Sequence, residues 1–190
     1  MNKNNRVVFL FKLLLLAYLG LLFIMTLLPD SSNITYETTV NLVPFTSIDN
    51  FFYDIMANGF IDWEFLATKP TNPTEIVLYT FTDSFKNLAG NIILLMPLGF
   101  LYPLSRKNKV KFFHAFVVIL GTTCAIELIQ YLFLTSRRAD IDDIILNLIG
   151  GLIGYLIYKW IEWKFRGKDG EEKKYFCLSK LRLWFTKMDG

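Results

Sequence analysis

Residues 137–154, RRADIDDIILNLIGGLIG, place a dense polar cluster directly before an apolar run. Arg138, Asp140, Asp142, Asp143 and Asn147 stand at its mouth, and Gly150 and Gly154 recur four apart deeper in. If the run crosses a bilayer, the polar groups at its start have to be paired or wetted, which makes them the first candidates for function. The fold therefore turns on whether other segments bring partners to the same level.

The chain of 190 residues is 53% hydrophobic, with a mean hydropathy of +0.38. That exceeds the roughly 45–50% apolar content of ordinary soluble domains. The excess is gathered into four blocks at 7–28, 85–104, 112–134 and 144–161. Each is long enough to span hydrocarbon as a helix. The expectation is an all-α integral membrane bundle of four transmembrane helices occupying 1–163, followed by a basic cytoplasmic tail at 164–190. Lys3 and Arg6 precede the first block as they would in a signal peptide. The run is too long, however, and has no small-residue cleavage site before Pro29, so it reads as an uncleaved span.

Orientation follows from where the charges fall. Arg106, Lys107, Lys109 and Lys111 crowd the connection between the second and third blocks, which places that loop in the cytoplasm. Residues 29–84 carry eight acidic groups against the single Lys69, and read as a long extracytoplasmic loop. Both termini are then cytoplasmic, and Lys159, Trp160 and Trp163 form an inner anchor for the last span. Lys12 lies close enough to the inner boundary to snorkel, and His114 has an interfacial or packing role there. The net charge of +3 is spent flanking spans, with no basic groove interleaved with stacking aromatics, so nucleic acid is excluded as a partner. Cys124 in an apolar block and Cys177 in the tail suggest no disulfide, and one histidine, His114, disfavours zinc.

Within the long loop, Pro44 in Asn41-Leu42-Val43-Pro44-Phe45 marks an extended or turn segment. Ser47 is placed to cap a short helix whose Phe51, Phe52, Ile55 and Met56 share one side, lying at the membrane interface or buried in a subdomain. Residues 71–75, TNPTE, give a second turn signal.

The spans then bring amides and carboxylates to one level. Asn87 and Asn91 begin an inward helix, which Pro97 can kink in its inner half. Glu127 and Gln130 approach the end of an outward helix, with Glu127 roughly 10 Å inside it. Asp140, Asp143 and Asn147 follow a 0, 3, 7 spacing, one face if the last helix starts near Asp140. An unpaired carboxylate at the depth of Glu127 is costly, and Arg138 is a suitable partner for it or for an anionic ligand. Two plainer readings stay open: the aspartates cap their own helix, and Arg138 pairs with Asp140 or Asp142 at the rim. On the functional reading, Glu127, Asp140 and Asp143 are the proton-handling or catalytic candidates. Asn87, Asn91, Gln130, Arg138, Asp142 and Asn147 are the substrate-binding ones, and clustered carboxylates leave room for a divalent cation such as Mg2+. No activated serine or cysteine, phosphate loop or metalloprotease spacing is present, so enzyme status stays open. Gly121 and Ala125 offer a small-residue surface, and a homo-oligomer is open as well.

Several fragments together resemble the VanZ-like family of bacterial membrane proteins. They are Asn41-Leu42-Val43-Pro44-Phe45, Asn87 with Gly90-Asn91, Met96-Pro97-Leu98-Gly99-Phe100, Glu127-x-x-Gln130, and Arg138-x-Asp140-x-Asp142-Asp143 with Asn147-x-x-Gly150 and Gly154. Met96 stands where the family pattern leads one to expect an aromatic or similar apolar residue, a difference of packing. The resemblance implies a multi-pass protein of the bacterial cell membrane, in some members linked to reduced susceptibility to glycopeptides such as teicoplanin, and supplies no catalytic set. The expected partner is a membrane lipid or a lipid-linked envelope precursor, which the chain recognises or acts on at the outer leaflet. The alternative is a non-catalytic envelope organiser or small-ligand transporter.

Overall fold

The computed structural model describes residues 3–27, 40–133 and 139–164. Four of its helices are long and apolar enough to cross a membrane: α1 (Lys3–Leu27), α5 (Asp83–Leu104), α6 (Phe112–Phe133) and α7 (Ile141–Lys164). They correspond to the four expected blocks, with the last starting three residues earlier than the apolar run because Ile141, Asp142 and Asp143 already belong to the helix. Three shorter helices lie between α1 and α5: α2 (Thr46–Asn58), α3 (Trp63–Ala67) and α4 (Pro73–Tyr79). The fold is not purely helical. Two-residue strands β1 (Val40–Asn41) and β2 (Ala139–Asp140) pair in parallel, Val40 opposite Ala139 and Asn41 opposite Asp140. The chain is mostly helical with four span-length helices, as expected, and this one short pairing lies outside that expectation: strands so short have no periodicity to read, and their partners lie about a hundred positions apart.

α5 and α7 form the most extensive contact. Its closeness is set by glycine. A Cβ at Gly150 would lie 1.7 Å from the carbonyl oxygen of Ile92, one at Gly154 1.9 Å from that of Met96, and one at Gly99 1.8 Å from that of Gly151. Backbone therefore meets backbone, and the four-residue spacing of Gly150 and Gly154 serves the close approach the sequence suggests. α5 remains one helix through Pro97 and Pro103. Around this pair Leu95, Leu98, Ile119, Tyr155 and Tyr158 form the buried core. The Tyr18 hydroxyl donates to the Leu94 carbonyl at 2.5 Å, tying α1 to α5.

The bundle has two unlike ends. One gathers the start of α5, the end of α6, the start of α7, and β1 with α2. The other gathers the end of α5 and the start of α6, where the Tyr155 hydroxyl of α7 donates to the Val110 carbonyl at 3.1 Å. His114 stacks parallel to Tyr102 at this second end.

The segment before α5 is ordered by its own turns. Asn72 caps α4 through the Thr74 amide with Pro73 at its first position, and Asp62 caps α3 through the Phe65 amide. An isolated antiparallel bridge, Ile61 with Phe81, closes these two helices into a hairpin. α2 has the apolar side chains expected of it, but only Ile55 is buried, while Phe52, Tyr53 and Met56 are exposed. Burial of that side within a subdomain is therefore not what these residues do.

Candidate functional site

The first turn of α7 organises the polar end. Asp140 does not extend the helix as the 0, 3, 7 spacing supposed; it is the second residue of β2, and the helix begins at Ile141. From that position its Oδ1 accepts from the Asp142 amide at 3.0 Å, capping α7. The same oxygen accepts from Asn41 Nδ2 at 3.1 Å, and its Oδ2 accepts from the Ser47 hydroxyl.

Asp142 caps a different helix. Its side chain is fully buried, with Oδ1 accepting from the Phe45 amide at 2.6 Å. Its Oδ2 accepts from the amides of Ser47 at 2.7 Å and Ile48 at 3.2 Å. These are the donors that the start of α2 leaves without an intrahelical acceptor, and a carboxylate there also meets the positive end of the helix dipole. Ser47 is thus not the cap of α2. The residue preceding the helix is Phe45, held at φ 69 without a side-chain cap bond, and Asp142 supplies the acceptor from across the molecule. A non-glycine residue in that left-handed region carries strain of about 1 kcal/mol or more, offset here by three bonds to a carboxylate.

Glu127 and Asp143 reach the same end from α6 and α7. Glu127 is only 6% exposed, and its Oε2 accepts from the Asp140 amide at 3.2 Å. Asp143 Oδ1 accepts from Asn91 Nδ2 of α5 at 2.5 Å. Both carboxylates have further interactions beyond these bonds. Carboxylates from two spanning helices and an amide from a third therefore converge on the start of α7.

The remaining candidates divide. Gln130 is buried but directed at α1, donating to the Thr26 carbonyl at 3.0 Å. Asn147, one turn below Asp143, is 1% exposed and its Oδ1 has no hydrogen-bond partner. Thr123 Oγ1 on α6 is buried in the same unsatisfied state. Asn87 is exposed at the start of α5. Arg137 and Arg138 lie outside the described residues, as do Cys177 and the tail from 165 onward. Among the described residues, no group of three or more His, Cys, Asp or Glu is arranged to hold a metal ion. Asp140 and Asp142 spend their oxygens on N–H and O–H donors instead.

Asn41 and Ser47 are the site residues that local reasoning did not select. Asn41 bridges the Asp140 carboxylate and the Ser47 hydroxyl, and its Oδ1 accepts from the Val43 amide. The proline-bearing turn at 41–45 was the available signal, but it says nothing of which distant carboxylate receives it.

The order of these pieces along the chain has a counterpart among known proteins. The family model VanZ/LLP1 matches residues 15–162, from within α1 to the end of α7. The chain belongs to the VanZ/LLP1 family. A curated relative, Protein VanZ of Enterococcus faecium, is 31% identical over 80 residues, covering 42% of this chain and 48% of the relative. The match thus spans about half of that relative's length. No solved structure matches the chain. Membership in VanZ/LLP1, with four helices of spanning length, makes this a membrane protein.

The Gln130 bond provides a mechanical test within this VanZ-family fold. Replacing Gln130 by alanine is expected to loosen α1 from α6 at the polar end and cost about 1 kcal/mol, the scale of interhelical hydrogen bonds in membranes. Thermal unfolding in detergent reads the loss; an unchanged midpoint would mean that the bond does not hold α1.

Proposed function

We propose that this VanZ-family protein works at the bacterial cell membrane with its polar end outward, recognising or acting on the headgroup of an amphiphilic, lipid-linked envelope substrate. Contribution to tolerance of glycopeptides such as teicoplanin is the physiological outcome of that role. The orientation rests on the four basic residues between α5 and α6 and on the acidic segment before α5.

The observation that carries the reading is Glu127, a carboxylate nearly closed to solvent in an apolar helix and bonded to the chain just before α7. Such a group is expensive in a membrane span and is retained where it meets a ligand, a proton or a fixed partner. Asp140 and Asp142 hold the surrounding scaffold, and Glu127, Asp143 and Asn91, themselves partnered within the bundle, are assigned here to the substrate side. Arg138, two residues before Asp140, supplies the cation for an anionic headgroup. Asn147 lies one turn deeper, with an acceptor to spare for a donor on the substrate. Gly121, which meets nothing within 4 Å, gives a surface for self-association.

The test uses Glu127→Gln, Asp143→Asn and Arg138→Ala, each expressed in a strain lacking the protein. Each variant is expected to reach the membrane at normal abundance yet leave teicoplanin susceptibility at the level of the deletion strain. Full tolerance at normal abundance in all three would remove the polar site from the function.

One observation favours a non-catalytic organiser: the bonds of Asp140 and Asp142 run to the protein's own backbone and side chains. Incubating the purified protein with cell lipid extract separates the readings. A changed headgroup marks turnover, and retention of an unchanged lipid marks recognition or transport.

A further inference from the structure

At the end of the bundle opposite the polar site, α1, α5, the α5–α6 connection and α6 enclose an open cleft of about 630 Å³. Lys12, Arg106, Lys107, Lys109, Lys111 and His114 line it, and none of its lining residues is acidic. Asn91 and Arg106 are separated by fifteen positions, nearly all of them in α5, so the cleft stands roughly 20 Å from the Asp143 cluster.

Charge bias alone explains why basic residues collect on one side of a membrane, but a topology signal needs no cavity and no fixed geometry. Here the guanidinium is set in place. Arg106 Cζ lies 5.0 Å from the centre of the Tyr102 ring, and Nη2 is 3.4 Å from the Tyr102 hydroxyl. His114 stacks parallel to the same ring at 6.5 Å. Tyr102 is itself buried, so the wall that carries the arginine is part of the core. Lys12 comes from another helix, about ninety positions earlier, and lines the same cavity.

We infer that this cleft is a binding site for the phosphate group of an anionic phospholipid. A fixed guanidinium presents paired N–H groups to phosphate oxygens, and the lysines add charge without fixed geometry. The volume falls within the range of small-ligand sites and takes a glycerophosphate headgroup. A lipid is the source, rather than phosphate from solution, because the cleft is rimmed by apolar surface. Phe113, one of its lining residues, is 74% exposed, and Phe112 beside it is half exposed. Basic side chains adjoining exposed aromatics at a span's end match a headgroup above acyl chains.

The full-length protein, reconstituted in nanodiscs of phosphatidylcholine with a minor fraction of phosphatidylglycerol and then released into detergent, is examined by native mass spectrometry for retained lipid. The wild type is expected to retain phosphatidylglycerol well above its share, and retention in proportion to the mixture overturns the site. Arg106→Gln combined with Lys107→Gln is expected to lower that retention about tenfold. Arg6→Gln combined with Lys164→Gln removes two charges from the same end outside the cleft and is expected to leave it unchanged. Equal loss in both double variants would mean a general basic belt. Titration of inorganic phosphate into phosphatidylcholine nanodiscs distinguishes the source: binding of free phosphate without selection of phosphatidylglycerol overturns the lipid assignment.

Discussion

Gly150→Ala is expected to destabilise the bundle by about 3 kcal/mol, the upper range for forcing a methyl group into packed structure. The added Cβ would lie 1.7 Å from the Ile92 carbonyl oxygen and 2.6 Å from its carbon. Both atoms are backbone in the middle of α5, so no rotamer change relieves the clash; α5 and α7 must separate along their length. That separation would also draw Asp143 away from Asn91, whose 2.5 Å bond lies two turns above. The matched control is Gly20→Ala on α1, where a Cβ meets nothing within 4 Å. Helix propensity there favours alanine, so stability should hold or rise slightly. Thermal unfolding of the two variants in the same detergent decides the matter, and similar midpoints would disprove backbone contact between α5 and α7.

Asp142→Asn is expected to cost on the order of 3 kcal/mol, because it replaces a buried charged acceptor of three amide bonds by a group with one acceptor atom. The amide nitrogen would face donors, either Phe45 or the pair Ser47 and Ile48. The loss should be local. The start of α2 would fray, Phe45 would leave its left-handed conformation, and Asn41 would lose the ordered turn that seats it against Asp140. Hydrogen exchange at the Ser47 and Ile48 amides should accelerate, and proteolysis should open the chain between 42 and 59, while the spanning helices keep their protection. Amides that stay as protected as in the wild type would mean that Asp142 is not the cap.

These two variants separate what is local from what is not. The spans could be read directly, since a run of twenty apolar residues has few structural options in a chain otherwise rich in charge. The same holds for Gly150 and Gly154: their spacing alone fixes a shared face, and that face is the one against α5. Glu127 was equally legible as a polar group that needs a partner, and its side chain is buried with a backbone donor beside it.

The aspartates could not be assigned in this way. Helical spacing placed Asp140 with Asp143 and Asn147, but that rule holds only inside a helix, and the pairing of β2 with β1 holds Asp140 outside it. Capping was the right chemistry for Asp142, applied to the wrong helix. The donors it serves lie 94 to 97 positions away, beyond anything local pattern can register. Likewise Gln130 has an amide suited to a substrate, but the end of α1 happens to present a carbonyl within reach.

By itself, the sequence determined that this chain folds as four apolar helices with costly polar groups near one end, because hydrophobic length and the expense of a charge in hydrocarbon are properties of each segment alone. Only the tertiary structure decided which of those polar groups bond to one another and to which backbone donors. A hydrogen bond depends on where its two partners come to rest, and here they come from opposite parts of the chain.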